Sequence, residues 1–365
     1  VIRWRSGVVV RERTRWSGAA EYDVRVADEP TEQTVCAVAY PDLVGWPQPG
    51  DRVLLNVTAL ERGLGTGGMA LVVAVPDRLP ADPPERPGHL VKARYMPEQA
   101  MVLGVDEQDS PHHEVLRDAD SIDGMPVVVA DLHSALPAII AGLRADRPDA
   151  RVVYVMTDGG ALPAAFSRTV HGLRAAGWLA ACVTVGQAFG GDLEAVSVHT
   201  GLLAARHVLH ADVAVVSQGP GNLGTGTRWG FSGVLAGDAV NAAVTLGGRA
   251  VASLRVSQAD ARERHRGLSH HSRTAYGRVA LVAADVPVPM LGGEVGDLVR
   301  TGADELVRDS AGRLTAYEID LTGLDAALSA SPVPLSTMGR GLHQDRASFV
   351  AAAAAGRHAA RLLGS

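Results

Sequence analysis

The chain has 365 residues, carries a net charge of −6, and is 47% hydrophobic but only 4% aromatic. Its length exceeds one small domain and suggests two, with cores built mainly from Ala, Val and Leu. The negative charge disfavours nucleic acid and acidic membrane surfaces as general partners, and no apolar run is long enough to span a bilayer.

Residues 1–76 read as β structure, with candidate strands "GVVVRERT", "EYDVRVA", "TVCAVAY", "DRVLLNVTA" and "MALVVAV" separated by turn signals such as "PQPGD" and "GLGTGG". Five short strands in this length suggest a small SH3-like or OB-like β-barrel. The opening stretch "RWRSGVVVRERTRW" sets five arginines against one glutamate, between Trp4 and Trp16. Basic and aromatic residues on a small barrel suit single-stranded nucleic acid. The preferred reading is an exposed strand face, with Arg11, Arg13 and Arg15 outward and Trp4 or Trp16 against the core. The first residues carry no apolar signal-peptide core, and the isolated Cys36 and Cys182 fit a reducing compartment, so the expectation is a cytoplasmic protein.

Residues 77–124 form a linker and transition segment that begins with the Pro-rich "PDRLPADPPERPG". From residue 125 to 365 the pattern changes. Apolar runs such as "MPVVVADL", "RVVYVMTD", "WLAACVTVG" and "ADVAVVSQG" alternate with helical stretches, including "LEAVSVHTGLLAARHVL". This is the signature of a doubly wound, mostly parallel α/β sheet covered on both faces. The Ala-rich "DRASFVAAAAAGRHAARLL" predicts a C-terminal helix with Asp345 as N-cap, packed on the outside of this domain.

The stretch "VVSQGPGNLGTGTRWGFSG" follows a strand and precedes a helix. Gly219, Gly221 and Gly224 satisfy the spacing of a dinucleotide fingerprint. Pro220 and the extended "TGTRWG" delay the helix, however, and no acidic residue closes the next strand, so NAD is disfavoured. A phosphate-binding P-loop fails as well, because no Gly-Lys-Ser/Thr is present and Lys92 is the only lysine. What remains is an anion site: amides of a glycine loop converging beside a helix N-terminus, with Gly226, Thr225 and Thr227 adding donors and Arg228 a charge. The competing reading is a glycine loop that only lets helix and sheet pack closely. "GLGTGG" earlier in the chain echoes "NLGTGT", which suggests that both loops meet at one cleft between domains.

The second informative stretch is "RVSQADARERHRGLSHHSRTAYG", on the same rim of the sheet. As an anion clamp, Arg255, Arg264 and Arg273 grip phosphate or carboxylate while His265 or His270 moves a proton. As a metal site, His265 and His270 or His271 supply nitrogens and Asp260 or Asp131 a carboxylate, although the spacing matches no standard zinc pattern. Read as strand residues, His270 and His271 point to opposite sides and do not share a ligand. Asp131, His133 and Asp158 follow other strands onto this rim as catalytic candidates, and Arg340 is a further cation within reach. For each carboxylate the alternative is a cap on the next turn.

The set "GDRVLLNVTALERGLGTGGMALVVAV", "GDLEAVSVHTGLLAA", "GPGNLGTGTRWGFSG", "RHRGLSHHSRT" and "MGRG" resembles a bacterial family of actinobacteria and firmicutes catalogued only as a domain of unknown function. The resemblance covers nearly the whole chain and implies no particular chemistry. The expectation is an enzyme acting on a small anionic metabolite at the glycine loop and the His/Arg segment. The alternatives are a non-catalytic sensor or scaffold for such a ligand, and nucleic-acid binding through the barrel. The sequence leaves open which cofactor, if any, is used, a divalent metal included, and whether the chain forms homo-oligomers.

Overall fold

The computed structural model describes residues 1–28, 31–65 and 67–364. Contacts divide the chain into two units, Val1–Pro87 with Val91–Met101, and Gly88–Leu90 with Val102–Ser365.

In the first unit, strands β1 (Trp4–Trp16), β2 (Ala19–Asp28), β3 (Thr31–Ala39), β4 (Arg52–Asn56) and β5 (Ala70–Ala74) close into a barrel of order β1-β2-β3-β5-β4. Neighbours are antiparallel except for the parallel pair β3 and β5. This is the OB-like order of the two barrels expected. The long β1 can pair with both β2 and β4 because bulges bend it, and because Gly7 has no side chain to collide with Val24, 2.6 Å from where a Cβ would lie. Alternate residues such as Val9, Tyr22, Val24, Val53, Leu55 and Val72 fill the core. Trp16 is buried and Trp4 is exposed. Arg11 and Arg13 both pair with Asp23, and Arg15 pairs with Glu12 and stacks over Trp46 at 4.0 Å. These three arginines therefore have local counter-charges. Thr66 of the first glycine loop lies outside the described residues.

The second unit is built on eight strands: β6 (Pro126–Val129), β7 (Val152–Thr157), β8 (Ala181–Thr184), β9 (Leu193–Glu194), β10 (Val213–Gln218), β11 (Arg249–Ala252), β12 (Ala284–Pro289) and β13 (Leu314–Ile319). They form one sheet of order β9-β8-β7-β10-β6-β11-β12-β13, parallel throughout. Every residue of β6 and β10 is buried, as a strand covered on both faces requires. Leu193 and Glu194, expected at the start of a helix, are instead the edge strand β9. Residues 102–124 are not a free linker, because Val105, Leu116 and Ile122 enter the core of this unit.

Its α-helices of five or more residues are α1 (Leu136–Asp146), α2 (Arg168–Ala175), α3 (Val198–Leu203), α4 (Ala236–Thr245), α5 (His270–Thr274), α6 (Gly293–Asp309), α7 (Leu324–Ser329) and α8 (Arg346–Leu362). The chain leaves β6 through α1, which packs with α7 and α8. It leaves the neighbouring β10 through α4, which packs with α3 and the π turn that continues α5. Adjacent strands thus send their connections to opposite faces, which defines the position where doubly wound sheets take ligands.

The C-terminal helix is not on the outside. Thirteen of its residues, from Ala347 to Ala360, are buried. It packs on α1, α7 and several strands of the sheet. Alanine and glycine allow this, because backbones cross where side chains are missing. A Cβ on Gly356 would collide with the Ile139 carbonyl oxygen, and one on Gly142 with that of Ala353. Asp345 does occupy the N-cap position, but its carboxylate accepts from Ser257 Oγ at 2.6 Å and from the Gln258 amide at 2.9 Å. Gln258 Oε1 in turn accepts from the Ala347 amide at 3.2 Å. Overpacking such a crossing costs roughly 1–3 kcal/mol. Gly356→Ala is expected to lower the unfolding free energy of this unit by about 2 kcal/mol, read from urea denaturation, and an unchanged midpoint would show that the two helices can separate freely.

Candidate functional site

Three segments meet beyond the ends of β6, β10 and β11. Asp131 follows β6, Arg255 follows β11, and His271 stands in the first turn of α5. Tyr276 fixes that helix to the sheet, donating from its hydroxyl to the carbonyls of Val129 at 2.9 Å and Ser253 at 3.1 Å. Ser269 caps α5, accepting from the His271 amide at 3.2 Å. The result is a buried cluster in which Asp131 and His271 are only 4% and 5% exposed. Arg255 Nη1 donates to Asp131 Oδ2 at 3.3 Å and lies 2.8 Å from His271 Nδ1, which is itself 3.2 Å from Asp131 Oδ2. His271 Nδ1 can accept from Arg255 or donate to Asp131, but it cannot do both at once. Burial tends to raise the Asp131 pKa. The hydrogen bond with His271 and the charge of Arg255 outweigh it, so the carboxyl is held below its ordinary value.

His265 and His270 complete a group of three imidazoles. Their ring centroids are 4.9 Å apart, and those of His270 and His271 are 4.5 Å apart. One ligand nitrogen from each of the three lies within 4.8 Å of the others. The expectation that His270 and His271 face apart fails because they open a helix rather than extend a strand. His265 reaches them because Val256–Ser257 pairs with Gly267–Leu268 as a small antiparallel hairpin, whose loop carries it back toward Ser269. His265 Nδ1 is 2.7 Å from Ser269 Oγ. His270 Nε2 is buried and has no hydrogen-bond partner among the described residues. Such an orphan costs about 1–3 kcal/mol. Burial first, then the nearby cations, push the pKa of His265 down to about 3 and that of His270 down to about 4. Both imidazoles are neutral at physiological pH.

The glycine loop adjoins this cluster. Phe231 stacks on His271 with centroids 3.7 Å apart and planes 8° from parallel. A Cβ on Gly226 would lie 3.5 Å from the Arg264 guanidinium. Gly233 lies against Asp131, and Gly219 packs on Ala161 and Met156. The exposed tip closes on itself. Thr225 and Thr227 share a hydroxyl hydrogen bond of 3.1 Å, and the Gly230 amide donates to Thr227 Oγ1 at 3.1 Å. Gly221 and Gly226 adopt φ of 94° and 80°, which glycine allows at no steric cost. Gly224 forms the bridge to Phe231 that closes the tip. Gln218 Nε2 donates to the Asp131 carbonyl at 3.1 Å, while its Oε1 is buried without a donor.

The other candidates are engaged elsewhere. His133 lies between Tyr154 OH at 3.1 Å and Ser167 Oγ at 2.7 Å. Asp158 accepts from the Gln187 amide at 2.8 Å. Asp260 is bound by Arg262 at 2.8 Å, whose hydrogen bonds pull its pKa far down, and by Arg340 at 3.4 Å, which also holds Asp345. Arg273 pairs with Glu305 on α6. Arg264 has no ion-pair or hydrogen-bond partner among the described residues. Sequence reading missed the parts played by Phe231, Ser269 and Tyr276. Only the serine gave a signal, a helix cap directly before two histidines. Among the described residues, no helix is long and apolar enough to cross a membrane.

An OB-like barrel and a doubly wound α/β unit with a buried Asp–His–Arg cluster at its switch point define the class of this protein. The chain belongs to the protein family of unknown function DUF3866, whose profile matches residues 36–356. No curated protein matches it.

Burial lowers the pKa of His133 from 6.5 to about 4, so the folded state keeps this ring neutral. The depressed value stabilises the fold fully above pH 6.5, and that contribution, on the order of 3 kcal/mol, is lost as pH falls from 6.5 to 4. Denaturation midpoints are expected to fall across that window and to fall less steeply in His133→Gln. A wild-type midpoint that stays level from pH 7 to 4 would refute the buried neutral ring.

Proposed function

We propose that the second unit is an enzyme acting on a small anionic metabolite, phosphorylated or carboxylated, at this rim of the sheet. The observation that carries the reading is the buried Asp131–His271–Arg255 cluster beside two neutral imidazoles at the switch point. A carboxylate behind an imidazole orients the ring and stabilises it when it takes a proton, which is how histidine serves as a general base. Asp131 is therefore the positioning residue. His271 and His270 are the proton carriers. Arg255 is committed to Asp131, so the charge that meets the substrate falls to Arg264, exposed and beside Gly226. The backbone of the glycine loop borders the same place, and its closed tip supports a wall better than an open cradle.

General acid–base groups contribute about 10²–10⁴ in rate. Turnover of a panel of phosphorylated and carboxylated metabolites should therefore drop at least about 100-fold in His271→Ala, with the thermal midpoint showing that the fold survives. Arg264→Ala is expected to raise KM more than it lowers kcat. Ligand-induced stabilisation without chemical change would identify a sensor instead, and retained turnover in His271→Ala would remove the proposed chemistry.

A further inference from the structure

We propose that His265, His270 and His271 bind one divalent transition-metal ion of the zinc class. Three observations converge on this. The three rings come from two different turns of chain, yet each places a ligand nitrogen within 4.8 Å of the other two. Two of the rings have an oxygen behind Nδ1, Ser269 Oγ at 2.7 Å for His265 and Asp131 Oδ2 at 3.2 Å for His271, so a proton on Nδ1 leaves Nε2 free to ligate, which for His271 displaces the 2.8 Å contact with Arg255 Nη1. A metal-bound histidine is characteristically held this way, its second nitrogen anchored by a hydroxyl, carbonyl or carboxylate. The third ring, His270, keeps Nε2 buried and without a partner. A packing cluster needs no such atom, whereas a metal gives it one.

The donor set indicates which ion. Three imidazoles, with no thiolate and no carboxylate in direct reach, suit zinc, cobalt or nickel over calcium and magnesium, which take oxygen. Ligation at about 2.0–2.1 Å per nitrogen in a tetrahedral site brings the nitrogens to roughly 3.3 Å from one another, so the rings close by up to about 1.5 Å on loading. On loading, His271 Nδ1 carries the proton and donates it to Asp131, and Arg255 keeps its own bond to that carboxylate. Phe231, stacked flat on His271, closes one side of the site. Three protein ligands leave a position for water or an anionic oxygen, and we assign Arg264, the exposed cation beside Gly226, to the anion there. That last assignment rests on the proposed function, and with the ion bound the His270 and His271 lone pairs are occupied, so a metal-held water would replace these two rings as the base.

The test uses full-length protein without a histidine tag, stripped with chelator and titrated with Co²⁺ and then Zn²⁺. One equivalent of Co²⁺ should bind with visible ligand-field absorption, and Zn²⁺ should displace it and raise the thermal midpoint. His270→Gln, at a partly exposed ring that makes no side-chain hydrogen bond here, should cut affinity at least about 100-fold. Asp131→Asn should cut it by about 10–100-fold. His171→Ala, on the exposed side of α2, should leave it unchanged. The absence of saturable binding, or full affinity in His270→Gln, would overturn the site. Metal binding without turnover would leave the site standing and sink the enzyme reading. Turnover in the absence of any saturable metal binding would do the opposite.

Discussion

A carboxylate taken out of water at the end of the first strand of the sheet is the constraint around which this unit is arranged. Burying an ion costs several kcal/mol unless a counter-charge and hydrogen bonds meet it. Asp131 is met by Arg255 from beyond β11 and by His271 from α5. The three therefore lock together segments far apart in sequence. Removing one partner of a buried pair costs about 3–5 kcal/mol, because the other charge stays behind. Arg255 and His271 are thus as much structural residues as chemical ones, and variants at Arg264 or His270 read function more cleanly.

Around that cluster, dehydration outweighs the local fields. Several arginines push the pKa values of His265 and His270 down, and burial, acting in the same direction, is the larger cause. Neutral rings offer lone pairs, which is what both a proton acceptor and a metal ligand require. The glycine loop serves two ends in the same region. Gly219 and Gly233 allow close packing against the strand ends, while Gly221 and Gly226 shape an exposed tip fastened by Thr225 and Thr227. The choice between an anion loop and a packing loop thus divides along the loop itself.

Much of the architecture was legible because its physics is local. Near-continuous Val runs mark β6, β7 and β10, turn residues mark the barrel, and Asp131, Arg255, His265 and His270, read from separate stretches, lie close together. The failures involve information that is not local. His270 and His271 read as facing apart because a strand period is applied to what Ser269 turns into a helix. Arg273, Arg340 and Asp260 looked like site residues by composition, but each has a partner on another segment that spacing cannot reveal. The alanine-rich tail read as a surface helix because alanine carries little hydrophobic signal. Its value lies in being small at a crossing with α1.

That last helix has a bearing on how the protein is made. Residues 346–362 emerge from the ribosome after all eight strands, yet they cover the face of α1 laid down some two hundred residues earlier. Until synthesis reaches them, the nascent sheet has a bare flank that is prone to aggregate or to call on chaperones. Maturation of the rim that holds Asp131 and His271 therefore waits on the arrival of its most distant support, and a chain cut short before Arg346 would carry every candidate ligand and no finished core.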